Sequence, residues 1–455
     1  MFDIDNMIKY LPEIFILLGA VLCNLKNDNH NSKSNIISYT ALGLSLLCLF
    51  FKEIIAYSAY TLLIKVLIII SSILILPIKS TRIFKTHTAK FNSFLLFSIF
   101  FLFMMINTNN YLGLYMNIEF YSICLYFLID FTKENIADSF KYLITSVTSS
   151  LLLLLGISFL YGLTGSIDYA YIEQFAQFNN DYSISTYVLP YILIFSGLLF
   201  KLGMFPFGNW IIDLYNNIDT KITTYISILP KLGVIGVLIN ILQQCATFEI
   251  SLVLIILSII TGAFGIFYGF KSKDILTVMA CSSYVNLSYI IIAVSLFTKF
   301  SISTVLFYLL TYIFMNIGTW VGITTLKNST ENSTLNGLIH KAPLIGSCFF
   351  ICLISLLGFP ISSGFISKIY LLAGILNSGL IILPVIFAMI LIMVSSVIFY
   401  IRPINKIFAP ASEHSKIFID PTNKIILCLC AGATILLGVF PTYAIQVCEA
   451  ISAYL

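Results

Sequence analysis

The chain has 455 residues, of which 59% are apolar and only 10% charged, and its mean hydropathy is +1.00. Soluble domains are about 25% charged, so a surface this poor in charge cannot face water, which excludes soluble enzymes, nucleic-acid binders and disordered chains. A net charge of +4 is too small and too dispersed to imply a polyanionic partner.

The N-terminus, Met1-Phe2-Asp3-Ile4-Asp5, is acidic and lacks the basic region of a cleaved leader, so the first apolar run is expected to stay as a helix. Fourteen apolar segments follow in order, at roughly 8–25, 36–51, 60–78, 91–108, 111–129, 141–163, 186–206, 222–243, 250–270, 275–297, 301–326, 345–374, 379–401 and 424–448. They are continuous rather than alternating, which favours helices of about 20 residues over the strands of a barrel. The longest connections are 164–185, 327–344 and 402–423. The expected fold is an all-α integral membrane protein.

Most of the 24 Lys and Arg fall in the odd-numbered connections, for example Lys79, Arg82, Lys85 and Lys90, or Arg402, Lys406, Lys416 and Lys424. Even-numbered connections and both ends hold only Lys9, Lys52 and Lys299. This asymmetry puts the odd connections in the cytoplasm and both termini outside it.

Charges inside the segments cost about 2.5–3.5 kcal/mol each near the bilayer centre on insertion scales. Lys65 lies about a turn inside its segment and Glu13 near an interface, so both are expected to reach water. Glu119 sits near mid-depth, where a short carboxylate cannot. Lys231 follows Pro230, which removes a backbone N–H and disturbs the helix against the Ile226 carbonyl. Lys201 lies among Gly197, Gly203 and Pro206, and Lys368 follows Gly358, Pro360 and Gly364. These two broken segments are five helices apart, so they would run in opposite directions, as ion sites in inverted repeats do. An acid and three buried amines can pass protons, because a nearby carboxylate favours the ammonium and its neutralisation releases it. Charge placement alone leaves a redox-driven pump subunit and a cation/proton antiporter nearly level, with helix-pairing charges as a third reading. Cys348 with Cys352, and Cys428 with Cys430, read as small residues at helix contacts rather than as metal ligands.

At these residues the chain resembles the subunit N family of the proton-pumping NADH–quinone oxidoreductase, respiratory complex I, over nearly its whole length. The resemblance is carried by Leu11, Pro12, Glu13 and Ile14; by Glu119 through Tyr126; and by Lys141, Tyr142 and Leu143 with Ser149, Ser150, Gly156 and Leu160 through Ser166. It continues in Phe200, Lys201, Pro206, Phe207 and Trp210, then Pro230 and Lys231, and Ser282 and Ser283. Gly358, Pro360, Gly364, Phe365 and Lys368, and finally Tyr400, Arg402 and Pro403, complete it.

The resemblance implies an antiporter-like membrane subunit of about 14 helices. Three helices (1–78) would precede two inverted five-helix repeats, helices 4–8 (91–243) and 9–13 (250–401), with helices 7 and 12 discontinuous and helix 14 at 424–448. Glu119 matches the family's helix-5 glutamate, and Lys201, Lys231 and Lys368 its lysines on helices 7, 8 and 12, together a proton relay. The chain itself would carry no cofactor or metal; NADH, FMN, iron–sulfur clusters and quinone would belong to other subunits. Its partners would be the other membrane and peripheral-arm subunits and the lipid of a bacterial cytoplasmic membrane, with no nucleic acid. The chain departs from the family's histidines at Gly208 and Asn286, and from its basic pair at Leu276 and Thr277, although Lys271 and Lys273 are near. Its own histidines, His30, His87, His340 and His414, fall in the expected cytoplasmic connections. The middle of the relay is therefore expected to rest on water, Asn286, Ser282 and Ser283.

Overall fold

The computed structural model describes residues 10–25, 31–50, 58–80, 88–130, 136–178, 184–245, 247–329, 335–377, 382–410 and 420–454. Residues 1–9, Lys52, Arg82, Lys85, Lys416, His30, His87 and His414 lie outside them. Among the described residues the chain is all-helical, with one isolated bridge between Asn110 and Asp168.

The first helices are α1 Leu11–Asn24, α2 Asn31–Phe50, α3 Ala59–Ile75, α4 Thr88–Asn107, α5 Tyr111–Asp130, α6 Ile136–Thr164, α7 Tyr169–Phe178 and α8 Ile184–Leu202. Next come α9 Asn209–Asn217, α10 Thr220–Cys245, α11 Phe248–Lys271, α12 Ile275–Ser295 and α13 Lys299–Ser329. The last are α14 Leu338–Lys341, α15 Pro343–Leu357, α16 Ser363–Leu376, α17 Ile382–Phe408, α18 Pro421–Val439 and α19 Thr442–Ser452. Ten described helices are long and apolar enough to cross a bilayer, and shorter apolar helices occupy the remaining segments. The chain is a multi-pass membrane protein. Segment 345–374 is two helices, α15 and α16, and segment 424–448 is likewise α18 and α19. The short helices α7, α9 and α14 fall in connections where neither length nor apolarity announces them.

The chain forms two compact units. One comprises Met1–Leu76, Arg82–Leu202 and Leu229–Ile250. In it α1 packs on α2 and α4, α4 on α5, α5 on α6, and α6 on α8. The last contact is a backbone approach. A Cβ on Gly156 of α6 would meet the Pro190 carbonyl, and one on Gly197 of α8 would meet that of Ser149. Small residues let membrane helices close in this way, where packing rather than water drives association.

The second unit comprises Pro77–Thr81, Gly203–Ile228 and Ser251–Leu455. Helices α15, α16, α18 and α19 all pack on α13. Cys352 of α15 and Cys430 of α18 meet over Gly318 of α13, and Cys348 Sγ lies 3.9 Å from Cys428 Sγ. All ten cysteines are free thiols, and these four fill a helix seam as expected of small residues. On α17, Leu383, Phe387, Leu391, Val394 and Ile398 form an exposed apolar stripe while Met389 and Ser396 on the other side are buried. That stripe recurs every three or four residues and suits lipid contact, not water.

Candidate functional site

In the first unit, α8 carries Lys201 in its last turn, just before Gly203 turns the chain with φ +76°. The lysine is buried, and its ammonium donates to Ser122 Oγ of α5 at 2.6 Å and to Ser146 Oγ of α6 at 2.5 Å. Ser122 gives its own proton to the Ile118 carbonyl at 2.6 Å, so it faces the amine as an acceptor. The Phe200 ring lies 5.4 Å from the same nitrogen. Glu119 is three residues before Ser122 and therefore on the same face of α5. Its charge reaches Lys201 and Tyr142 electrostatically. Among the described residues no ion pair joins Glu119 to Lys201, and Glu119 Oε1 is buried without a hydrogen-bond partner. A carboxylate oxygen so placed is expensive unless it is solvated or protonated.

Lys231 is 2% exposed on α10. The helix runs unbroken through Pro230, whose missing N–H leaves the Ile226 carbonyl without its usual helical donor.

In the second unit, α15 stops at Leu357, Gly358 takes φ +86°, and α16 restarts at Ser363. Lys368, 5% exposed, reaches back across this break to donate to the Leu356 carbonyl at 2.9 Å and the Leu357 carbonyl at 2.8 Å. These are among the last four carbonyls of α15, which have no intrahelical partner and carry the negative end of the helix dipole. The Tyr289 ring of α12 sits 5.5 Å from the ammonium. A Cβ at Gly358 would press on the Lys368 side chain, and one at Gly364 would run into the Ser355 carbonyl. Ile361, inside the break, holds φ +76°, a strained conformation for a β-branched residue.

Around Asn286 and Gly208, where the resemblance would place histidines, hydroxyls and an amide bond one another. Tyr400 donates to Ser282. Asn286 Nδ2 bonds the same Ser282 Oγ at 3.2 Å, and Tyr308 donates to Asn286 Oδ1 at 2.9 Å. Gly208 offers its carbonyl to Tyr284.

One expectation fails. Lys65 and Glu13 do not reach water: they are 0% and 1% exposed and form an ion pair of 2.7 Å. Helices α1 and α4 lie over the lysine, so pairing replaces hydration. Lys221, at the start of α10, is buried beside Asp219. Asp219 accepts the Lys221 backbone N–H at 2.8 Å and a bond from Ser80, and burial pushes its carboxyl above the usual range. An Asp just before a helix is the ordinary sign of an N-cap. Ser122 was also legible as the i+3 neighbour of Glu119; nothing in the sequence marks Ser146.

The profile of the family described as NADH:quinone oxidoreductase/Mrp antiporter, TM, matches residues 108–395. The chain belongs to that family. It is 28% identical to the NADH-quinone oxidoreductase subunit N 2 of Thermodesulfovibrio yellowstonii, covering 96% of this chain and 99% of that one. It is 29% identical to the chloroplastic NAD(P)H-quinone oxidoreductase subunit 2 of Chara vulgaris, over 90% and 87% of the two chains. Its fold is that of a chain in respiratory complex I from Thermus thermophilus with bound aureothin, at TM-score 0.81, 19% identity and 96% and 98% coverage. A chain of the Mrp complex from Dietzia sp. has the same fold, at TM-score 0.83, 14% identity and 99% and 97% coverage.

Proposed function

We propose that this chain is the N subunit of a proton-pumping NADH–quinone oxidoreductase in a bacterial cytoplasmic membrane, and that Glu119, Lys201, Lys231 and Lys368 carry its protons. The observation that carries the reading is the Lys201 site: a buried ammonium held by two hydroxyls, within electrostatic reach of a carboxylate whose inner oxygen has no partner. Protonating Glu119 removes the charge that favours the ammonium, so Lys201 can give up its proton; ionising Glu119 draws one back. Lys231 and Lys368 continue the series, Lys368 stabilised by the end of a half-helix. The two inverted repeats, 91–243 and 250–401, would supply this pair of broken helices. Electron transfer from NADH to quinone, with its flavin and iron–sulfur centres, belongs to the partner subunits, and both termini of this chain lie on the non-cytoplasmic side.

Changing Lys231 to Ala is expected to leave the complex assembled while NADH-driven proton transport falls about tenfold, ~1.4 kcal/mol in the barrier. Normal pumping by that variant would sink the relay. Recovery of the chain with flavin and iron–sulfur subunits in mild detergent tests the assembly. The family also includes Mrp antiporters, and Na⁺/H⁺ exchange by the purified chain in liposomes, without redox substrate, would support that second reading.

A further inference from the structure

Among the described residues of the first unit, the Glu13–Lys65 pair is a buried charge cluster outside the four relay residues, and it lies beneath a polar cleft. The cleft, about 570 Å³, is walled by the ends of α3, α4, α7 and α10, with Thr61, Asn107, Asn240 and Gln244 among its lining and Asp168 and Glu173 beside them. Asn107 joins cleft and pair: it lines the first and donates Nδ2 to Glu13 Oε1 at 2.8 Å, the oxygen that also accepts from Lys65 at 2.7 Å. Thr61 lines the cleft one turn above Lys65 on the same face of α3. The chain could have packed apolar side chains here with equal or better stability, so a charged pair one amide away from a polar opening calls for a use. All four helix ends meet at connections poor in Lys and Arg, the side that the basic residues assign outside the cytoplasm.

We propose that this cleft is a proton port, through which water on the non-cytoplasmic side exchanges protons with the Glu13–Lys65 pair. The ligand is water and its hydronium. A hydronium in the cleft gives its proton to the Glu13 carboxylate, leaving one water; the pair then carries one net positive charge, on the Lys65 ammonium. In outward transport the relay delivers that proton instead, and its loss to water through the cleft restores the neutral pair. Asp168 and Glu173 beside the opening raise the local proton concentration. The other titratable groups around the cleft are Tyr60 and Tyr169, which line it, and Tyr111, which donates to Gln244 at 3.0 Å.

The port rests on the chain conducting protons, and the two ideas fail separately: the relay by normal pumping of Lys231→Ala, the port by the following. In the assembled complex in vesicles, Ala170→Cys places a thiol in the cleft lining, away from the pair. A bulky membrane-impermeant thiol reagent is expected to label it from the non-cytoplasmic face. Labelling should then lower protons moved per NADH about twofold or more by closing an aqueous route, with wild-type complex, native cysteines included, unaffected. Full labelling with an unchanged ratio, labelling only from the cytoplasmic face, or no labelling would overturn the proposal. The double change Glu13→Gln with Lys65→Met removes the charges without orphaning either. An assembled double variant with a lowered ratio supports the port, and one with the wild-type ratio overturns it.

Discussion

Lys201 and Lys368 are both buried amines at a break in a helix, yet their surroundings differ in kind. Lys201 stands before its break and is held by side chains, the hydroxyls of Ser122 and Ser146. Lys368 stands after its break and is held by backbone, the carbonyls of Leu356 and Leu357. A carboxylate, Glu119, acts on the first, whereas a helix dipole acts on the second. A hydroxyl can rotate and trade its proton, and a carboxylate can be neutralised; a helix terminus does neither. The first site is therefore suited to switching, and the second to holding an ammonium steadily.

The harshest way to break this contrast is to remove the amines. Lys201→Met and Lys368→Met should each reduce NADH-driven proton transport about tenfold or more, measured in vesicles beside assembly of the complex; equal, small losses would show that neither amine matters. Next comes Ser122→Ala with Ser146→Ala. This strips Lys201 of acceptors worth about 1.5–3 kcal/mol each and should slow transport several-fold, while thermal unfolding of the detergent-solubilised chain shifts downward. The matching change at Lys368 has to be made through the backbone. Gly358→Ala puts a Cβ at φ +86°, at about 1–2 kcal/mol of strain, and should destabilise the chain by that amount with a smaller effect on transport. The mildest is Tyr289→Phe. The Tyr289 hydroxyl is buried near Ser396 with no well-formed hydrogen bond, so its loss should leave stability within about 1 kcal/mol and transport unchanged, because the ring beside Lys368 remains. A large loss there would reveal the hydroxyl as part of the path.

The span pattern was legible because bilayer thickness and the cost of buried charge act on every segment alike, and Glu119, Lys201, Lys231 and Lys368 stood out for that reason. The break between α15 and α16 was also legible, from Gly358, Pro360 and Gly364. What the sequence hid were pairings between distant helices. Glu13 and Lys65 are 52 residues apart, and each alone reads as a charge near an interface; only packing makes them a pair. Ser146 is one of many serines in its helix, and its meeting with Lys201 depends on how α6 and α8 lie together. Short helices such as α7 escaped because a membrane reading attends to long apolar runs.

The glycine contacts between α6 and α8 have a bearing on tempo. Gly156 and Gly197 bring the two backbones against each other on either side of the seam, and Ser146 and Lys201 each sit about one turn beyond it. Sliding one helix past the other would force those backbones to collide, so the distance between hydroxyl and amine is set by a rigid strut. Lys201 must then change partners by rotation of its own side chain rather than by helix shifts, which run in microseconds to milliseconds. A slow turnover would not have its bottleneck in a slide of this seam.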